Sequence, residues 1–183
     1  MHTQSAAERF YVPSDGAKDR FVPPAGRMPR LHLIEYQEDL RLCEDETGLL
    51  VGPTDQRLHL AGLYATNLRG GRYYAKAARD ADLRPGRLVR LIPECDNAHD
   101  PNALAVHPEQ GPGPVGYVNK AKARSWSKLL AEGVRLRAIS LRGTGPGKPC
   151  NAVAVLAADP KVIDHLLSPR PIGLPAPAFL RSR

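Results

Sequence analysis

Glu94-Cys95-Asp96-Asn97-Ala98-His99-Asp100-Pro101-Asn102-Ala103-Leu104-Ala105-Val106, followed by Val115-Gly116-Tyr117-Val118, is the stretch from which the fold of this 183-residue chain is read. Asp96, Asn97, Asp100 and Asn102 crowd into seven positions directly before an apolar run. Asn and Asp favour turns because their side chains hydrogen-bond nearby backbone and tolerate unusual dihedrals. A single such residue marks a turn; four against a β-run suggest a shaped loop whose side chains meet something. The runs 103–106 and 115–118 flank a loop holding Pro108, Gly111, Pro112, Gly113 and Pro114, which is the pattern of a β-hairpin.

Downstream, residues 119–131 turn helical. Ala123, Trp126, Leu129 and Leu130 share an apolar face, Lys120, Arg124 and Lys128 a basic one, and Gly133 is the stop. Residues 134–141 alternate as a strand, 143–149 form a Gly/Pro loop, and 151–156 make a last strand. A short helix over 160–167 starts on Pro160. Upstream, residues 57–62 alternate with period two, as a half-buried strand does. A Gly70-Gly71 turn flanked by arginines leads to Tyr73-Tyr74 and a short helix over 75–81; a strand over 87–92 is ended by Pro93.

The organisation expected is a disordered or loosely docked arm at 1–29, a strand extension at 30–56, a central domain at 57–142, a strand and short helix at 143–168, and a frayed tail at 169–183. Within the extension, Glu35, Glu38, Asp39, Glu44, Asp45 and Glu46 form an acidic patch, expected to be a solvated face. The fold class expected is mainly β: a small antiparallel barrel of about six strands, OB-like or SH3-like, with one main helix and a short C-terminal helix.

With 26 Lys+Arg against 19 Asp+Glu, the formal charge is +7, a balance that favours polyanions, nucleic acid first. Three cysteines lie far apart with no Cys-x-x-Cys pair, so neither a disulfide framework nor a zinc ribbon is expected. No apolar run approaches the about 18 residues a membrane span needs. The first residues lack the basic and apolar regions of a secretory signal, so a cytoplasmic location is expected.

Several pieces in order resemble the HIRAN domain family, a small β-rich module found alone in bacterial proteins and at the front of some DNA-repair helicases. They are Leu60-Ala61-Gly62-Leu63-Tyr64, Leu83-Arg84-Pro85-Gly86-Arg87-Leu88-Val89-Arg90-Leu91, the Glu94…Asn97…Asp100…Asn102-Ala103-Leu104-Ala105-Val106 signature, Val115-Gly116-Tyr117-Val118 and a helix ending near Glu132-Gly133. The resemblance implies binding of the 3′ end of single-stranded DNA. Carried over by motif position, Asp100 reads the terminal hydroxyl, with Asn97 and His99 in the same motif. Tyr117 lines the pocket and Lys120 sits near the backbone. Just past Gly62, where relatives place an aromatic pair, this chain has only Tyr64; Tyr73 and Tyr74, flanked by Arg72 and Lys76, are the candidates to replace it. Arg124 continues the basic helix face.

Catalysis finds little support in the residues. The loop 143–149 lacks the hydroxyl after its lysine and precedes a strand, so it is no phosphate-binding loop. No Gly-x-Ser-x-Gly elbow occurs. The reading is therefore a non-enzymatic DNA-binding module for single strands or 3′ ends, serving repair or replication-fork processing. Neither cofactor nor metal is expected, and the expected partners are DNA and a helicase or nuclease. The alternative is a protein-interaction module; least favoured is a metal-dependent nuclease built on Cys95, Asp96, His99 and Asp100.

Overall fold

Alternation along residues 153–158 puts Val153, Val155 and Ala157 on one side of the chain and Ala154, Leu156 and Ala158 on the other, and all six are buried. In the computed structural model of the chain, which describes residues 8–13, 15 and 20–181, this segment is a wall shared by two hydrophobic clusters. Ala154, Leu156 and Ala158 join Leu31, Leu33, Leu42, Ile139, Ile163 and Leu166. Val153, Val155 and Ala157 join Leu104, Val106, Val118, Ala123 and Trp126.

The elements are β1 (Leu31–Tyr36), β2 (Asp39–Glu44), β3 (Leu50–Val51), β4 (Tyr64–Asn67), α1 (Ala75–Asp80), β5 (Leu88–Pro93), β6 (Leu104–Pro108), β7 (Gly116–Tyr117), α2 (Lys120–Ala131), β8 (Arg137–Arg142), β9 (Ala154–Ala158) and α3 (Pro160–Leu167). Six strands make one curled, OB-like antiparallel sheet in the order β4-β9-β8-β5-β6-β7, and β1-β2-β3 form a second sheet. The mainly β barrel, its main helix α2 after the Gly116-Tyr117 strand and the short helix α3 are as the sequence predicts. Asn119 caps α2 by accepting from Ala121 N at 3.2 Å, and Asp159 caps α3 by accepting from Lys161 N at 2.8 Å. The sheet's outer strands meet at a bridge: Arg69 N donates to Tyr117 O at 2.8 Å and Tyr117 N to Arg69 O at 3.0 Å. A Cβ on Gly116 would lie 2.9 Å from Arg69 O, so the approach requires glycine there.

Four expectations are corrected. Residues 57–62 are not a strand: Gln56–Ala61 form a 3-10 helix. Asp55 accepts from Arg57 N at 2.9 Å and pairs with its guanidinium at 2.6 Å, while Gly62, at φ 71°, ends the turn. Burial falls on Arg57, Leu58 and Ala61, whereas Leu60, which alternation would pair with Leu58, is exposed. The predicted boundary at 142 runs between β8 and β9, which are hydrogen-bonded neighbours in one sheet. The acidic patch is not uniformly solvated, since Glu44 and Asp45 are buried. Glu44 accepts from Glu46 N at 3.0 Å and Thr47 N at 2.9 Å. Asp39 holds Arg41 at 2.8 Å and Arg142 at 2.7 Å.

The fourth correction concerns both tails. Residues 169–181 are docked rather than frayed: Arg170 Nε reaches Asp45 Oδ1 at 3.4 Å and its Nη2 reaches Asp45 O at 3.2 Å. Ala178 N donates to Gly48 O at 2.8 Å, and Phe179 packs on Tyr36 at 4.6 Å between centroids. Gly48, at φ +70°, has Ala176 O only 2.4 Å from where a Cβ would stand. In the predicted arm, Val12 and Phe21 are core residues and Val12 N donates to Leu50 O at 2.9 Å. Residues 1–7, 14, 16–19 and 182–183 lie outside the described residues.

Asp45 is the hub of the C-terminal attachment. Its carboxylate also takes His32 Nδ1 at 2.9 Å, and His32 packs against His165 at 4.5 Å. Removing one partner of a buried polar pair strands the others. Asp45→Ala is expected to destabilise the fold by about 3 kcal/mol in urea titration, leaving His32 Nδ1 and Arg170 Nε without their acceptor. The Cys43 thiol, pushed up to about 11 by burial, stays protonated near neutral pH, and the thiolate is the nucleophile. A thiol reagent is thus expected to modify exposed Cys95 in the native protein and Cys43 only after denaturation.

Candidate nucleic-acid interface

A chain of hydrogen bonds runs through the polar loop between β5 and β6 and ends on β7. Tyr117 Oη donates to the Glu94 carboxylate at 3.0 Å. The same carboxylate accepts from Asn97 Nδ2 at 2.9 Å. Asn97 Oδ1 accepts from His99 N at 2.9 Å and Asp100 N at 3.2 Å. Asp100 Oδ1 accepts from Asn102 N at 2.9 Å. On the far side Ser127 Oγ of α2 donates to Asn102 O at 3.2 Å, tying the loop to the helix. Three of the four polar residues that crowd the sequence, Asn97, Asp100 and Asn102, thus brace one another, and Asn97 holds the Glu94 carboxylate beside Tyr117.

The Tyr117 ring is covered by Tyr74, 5.6 Å away between centroids and inclined by 49°. Tyr74 arrives there because Gly70, at φ +86°, turns the chain back, with Tyr73 N and Tyr74 N both donating to Gly70 O. Burial first, then the hydrogen bonds and charge of Tyr74 and Glu94, raise the Tyr117 pKa well above the ordinary phenol value. Its phenol is therefore a permanent donor toward Glu94. A shallow depression of about 550 Å³ lies beside this cluster, lined by Pro93, Glu94, Cys95, Asp96 and Asn97.

The structure brings together Asn97, the His99 backbone, Asp100, Tyr117 and Tyr74. One Asp100 oxygen is committed to the loop's own backbone, and Asp100 does not line the depression. Tyr73 is fully out in solvent beside Tyr74, at 89% exposure, with exposed Arg72 next to it. Lys120 and Arg124 are exposed on α2. Tyr64 stands elsewhere. Its ring meets Trp126 edge-on at 6.0 Å and lines an apolar groove of about 620 Å³ with Leu58, Leu63, Lys122 and Leu129. There Lys122 Nζ donates to Ala65 O at 2.5 Å, and burial lowers its pKa.

Glu94 is the residue missed by the sequence-based choice of site. The signal was its place three residues before Asn97, on the exit of a proline-ended strand; nothing local revealed that Tyr117 would reach it across 23 positions. Among the described residues, no three His, Cys, Asp or Glu side chains gather as a cation site. Nor is any helix among them long and apolar enough to cross a membrane.

The family model for the HIRAN domain matches residues 61–159, more than half of the chain, from the glycine turn before β4 through the whole of β9. The structure is similar to the crystal structure of the HIRAN domain of human HLTF, at 17% identity and a TM-score of 0.42, over 57% of this chain and 83% of that one. It is also similar to the crystal structure of a protein from Lactobacillus plantarum, at 21% identity and a TM-score of 0.40, over 51% and 91%. A third similarity, to the NMR structure of the HLTF HIRAN domain, has 15% identity and a TM-score of 0.35, over 57% and 86%. No curated protein matches the chain.

The cluster makes a spectroscopic prediction. In an ultraviolet titration of the six tyrosines, one phenol is expected to resist ionisation beyond the others. In Glu94→Ala that phenol is expected to titrate at lower pH but still above the ordinary value, because burial outweighs the carboxylate. A wild-type titration with all six phenols together would contradict the geometry.

Proposed function

The chain belongs to the HIRAN domain family, and from that premise we propose that it is a non-catalytic DNA-binding module that holds a single strand by its 3′-hydroxyl end. The observation that carries this reading is the braced set Tyr117–Glu94–Asn97–Asp100 under the Tyr74 ring, in a protein of charge +7. Asp100 Oδ1 is spent on Asn102 N, which leaves its other oxygen to accept from a terminal hydroxyl. Two carboxylates, Glu94 and Asp100, then flank the end of the strand. A terminal phosphate would meet their repulsion, so acceptance and rejection come from the same groups.

Aromatic and basic side chains supply the rest of the proposed interface. Tyr74, backed by Tyr117, would stack on the last nucleotide, and the exposed Tyr73, Arg72, Lys120, Arg124 and His99 would supply further stacking and cationic contacts. Tyr64, packed on Trp126, would serve as support in the neighbouring groove rather than as the first stacking platform. Such a module would act beside a helicase or nuclease in repair or fork processing, in the cytoplasm. A second reading, a protein-interaction module, has one observation in its favour: the apolar groove under α2 that Leu58, Leu63, Trp126 and Leu129 line.

Fluorescence anisotropy with a 3′-hydroxyl oligonucleotide and its 3′-phosphate twin separates these readings. The hydroxyl strand is expected to bind more tightly, and affinity is expected to fall with salt as counterions are released. Asp100→Asn retains an oxygen to cap Asn102 but removes the charge, so it is expected to keep the loop and lose the discrimination. Equal affinity of the wild-type protein for both ends would defeat the end-reading version, and the absence of salt-sensitive binding would favour the protein-interaction module.

A further inference from the structure

Tyr73 has no role in folding that its surroundings explain. A tyrosine 89% exposed on a turn adds nothing to either hydrophobic cluster. Yet with Tyr74 it lines a groove of about 310 Å³, together with Ala77 of α1 and with Gln110 and Pro112 of the loop after β6. This groove lies outside the polar loop between β5 and β6. It is joined to it by a single side chain, since Tyr74 lines the groove and also covers Tyr117.

We infer that this groove takes one unstacked nucleobase of a single strand whose end lies at the Glu94–Tyr117 cluster. The inference rests on the proposed function and adds a second contact point to it. The groove is at the small end of ligand sites, which run about 300–1,000 Å³, and so suits one planar heterocycle. Its lining is of the right kind: two tyrosines and two prolines for a planar ring, with Gln110 among them, whose amide carries both a donor and an acceptor for a base edge. The charges at the groove are balanced, with one further cation beside it. Lys76 is on the rim, held by Asp80 at 2.9 Å, and exposed Arg72 precedes Tyr73. Continuity does the rest, because Tyr74 both covers Tyr117 and lines the groove, so a strand ending at the cluster has this groove beside it.

The test steps a single abasic site inward, one nucleotide at a time, along a 5′-labelled 3′-hydroxyl oligonucleotide and measures affinity by anisotropy. Wild-type protein is expected to lose about fivefold or more in affinity when the abasic site reaches one internal position, the usual value of a base–aromatic stack. Tyr73→Ala is expected to bind the intact strand as weakly as wild type binds that abasic strand, with no further loss when both changes are combined. Tyr73→Phe is expected to restore binding, which separates stacking from a hydroxyl contact. If Tyr73→Ala binds like wild type, or if its loss simply adds to the abasic loss, the groove is not a base site although the end-binding reading stands. If the wild-type protein binds no oligonucleotide, both fall together.

Discussion

Two backbone hydrogen bonds between Arg69 and Tyr117 hold the first strand of the six-stranded sheet to its last. Everything at the candidate site follows from that closure. It needs Gly116, because any side chain there would collide with Arg69 O and the Leu68 side chain. Once made, it delivers the following Gly70 turn beside β7 and lays Tyr74 on Tyr117. The residues of the site come from positions 74, 94, 97, 100 and 117, and it is curvature of the sheet that gathers them.

The second constraint is that β9 must be covered on both faces. A strand whose every residue is buried cannot sit at the edge of a solvated barrel. The β1-β2-β3 sheet and α3 supply one cover; α2 with β6 supplies the other. The N-terminal extension and the C-terminal segment are therefore parts of the core architecture. Their attachment is sealed at Asp45, where His32 and Arg170 converge on one buried carboxylate. This arrangement places the structural work of both segments on the side of β9 that Ala154, Leu156 and Ala158 face.

In the polar loop the same residues carry turn-forming bonds and bonds that reach across the sheet. Asn97 caps the His99 and Asp100 amides, and Asp100 caps Asn102, as turn-forming residues do. The same bonds fix the Asn97 amide nitrogen on Glu94 and so set the height of the carboxylate under Tyr117. Asn97, Asp100 and Tyr117 were legible as candidates because their types and spacing are local. Glu94 and the Tyr74 contact were not, since each depends on a partner that only folding brings near. Tyr64 was chosen for its place after Gly62, but its partner Trp126 draws it into the groove under α2.

By itself the chain determined its hairpin over β6 and β7, the capped helices α2 and α3, and the braced polar loop. Each rests on interactions within a few residues: alternation, an Asx cap, a proline in a first turn. Only the tertiary structure decided that 56–61 would coil into a 3-10 turn, that β9 would lie between β4 and β8, and that residues 169–181 would dock on the hairpin of β1 and β2. Those outcomes depend on which distant surfaces remain to be covered, a quantity that no window of local sequence contains.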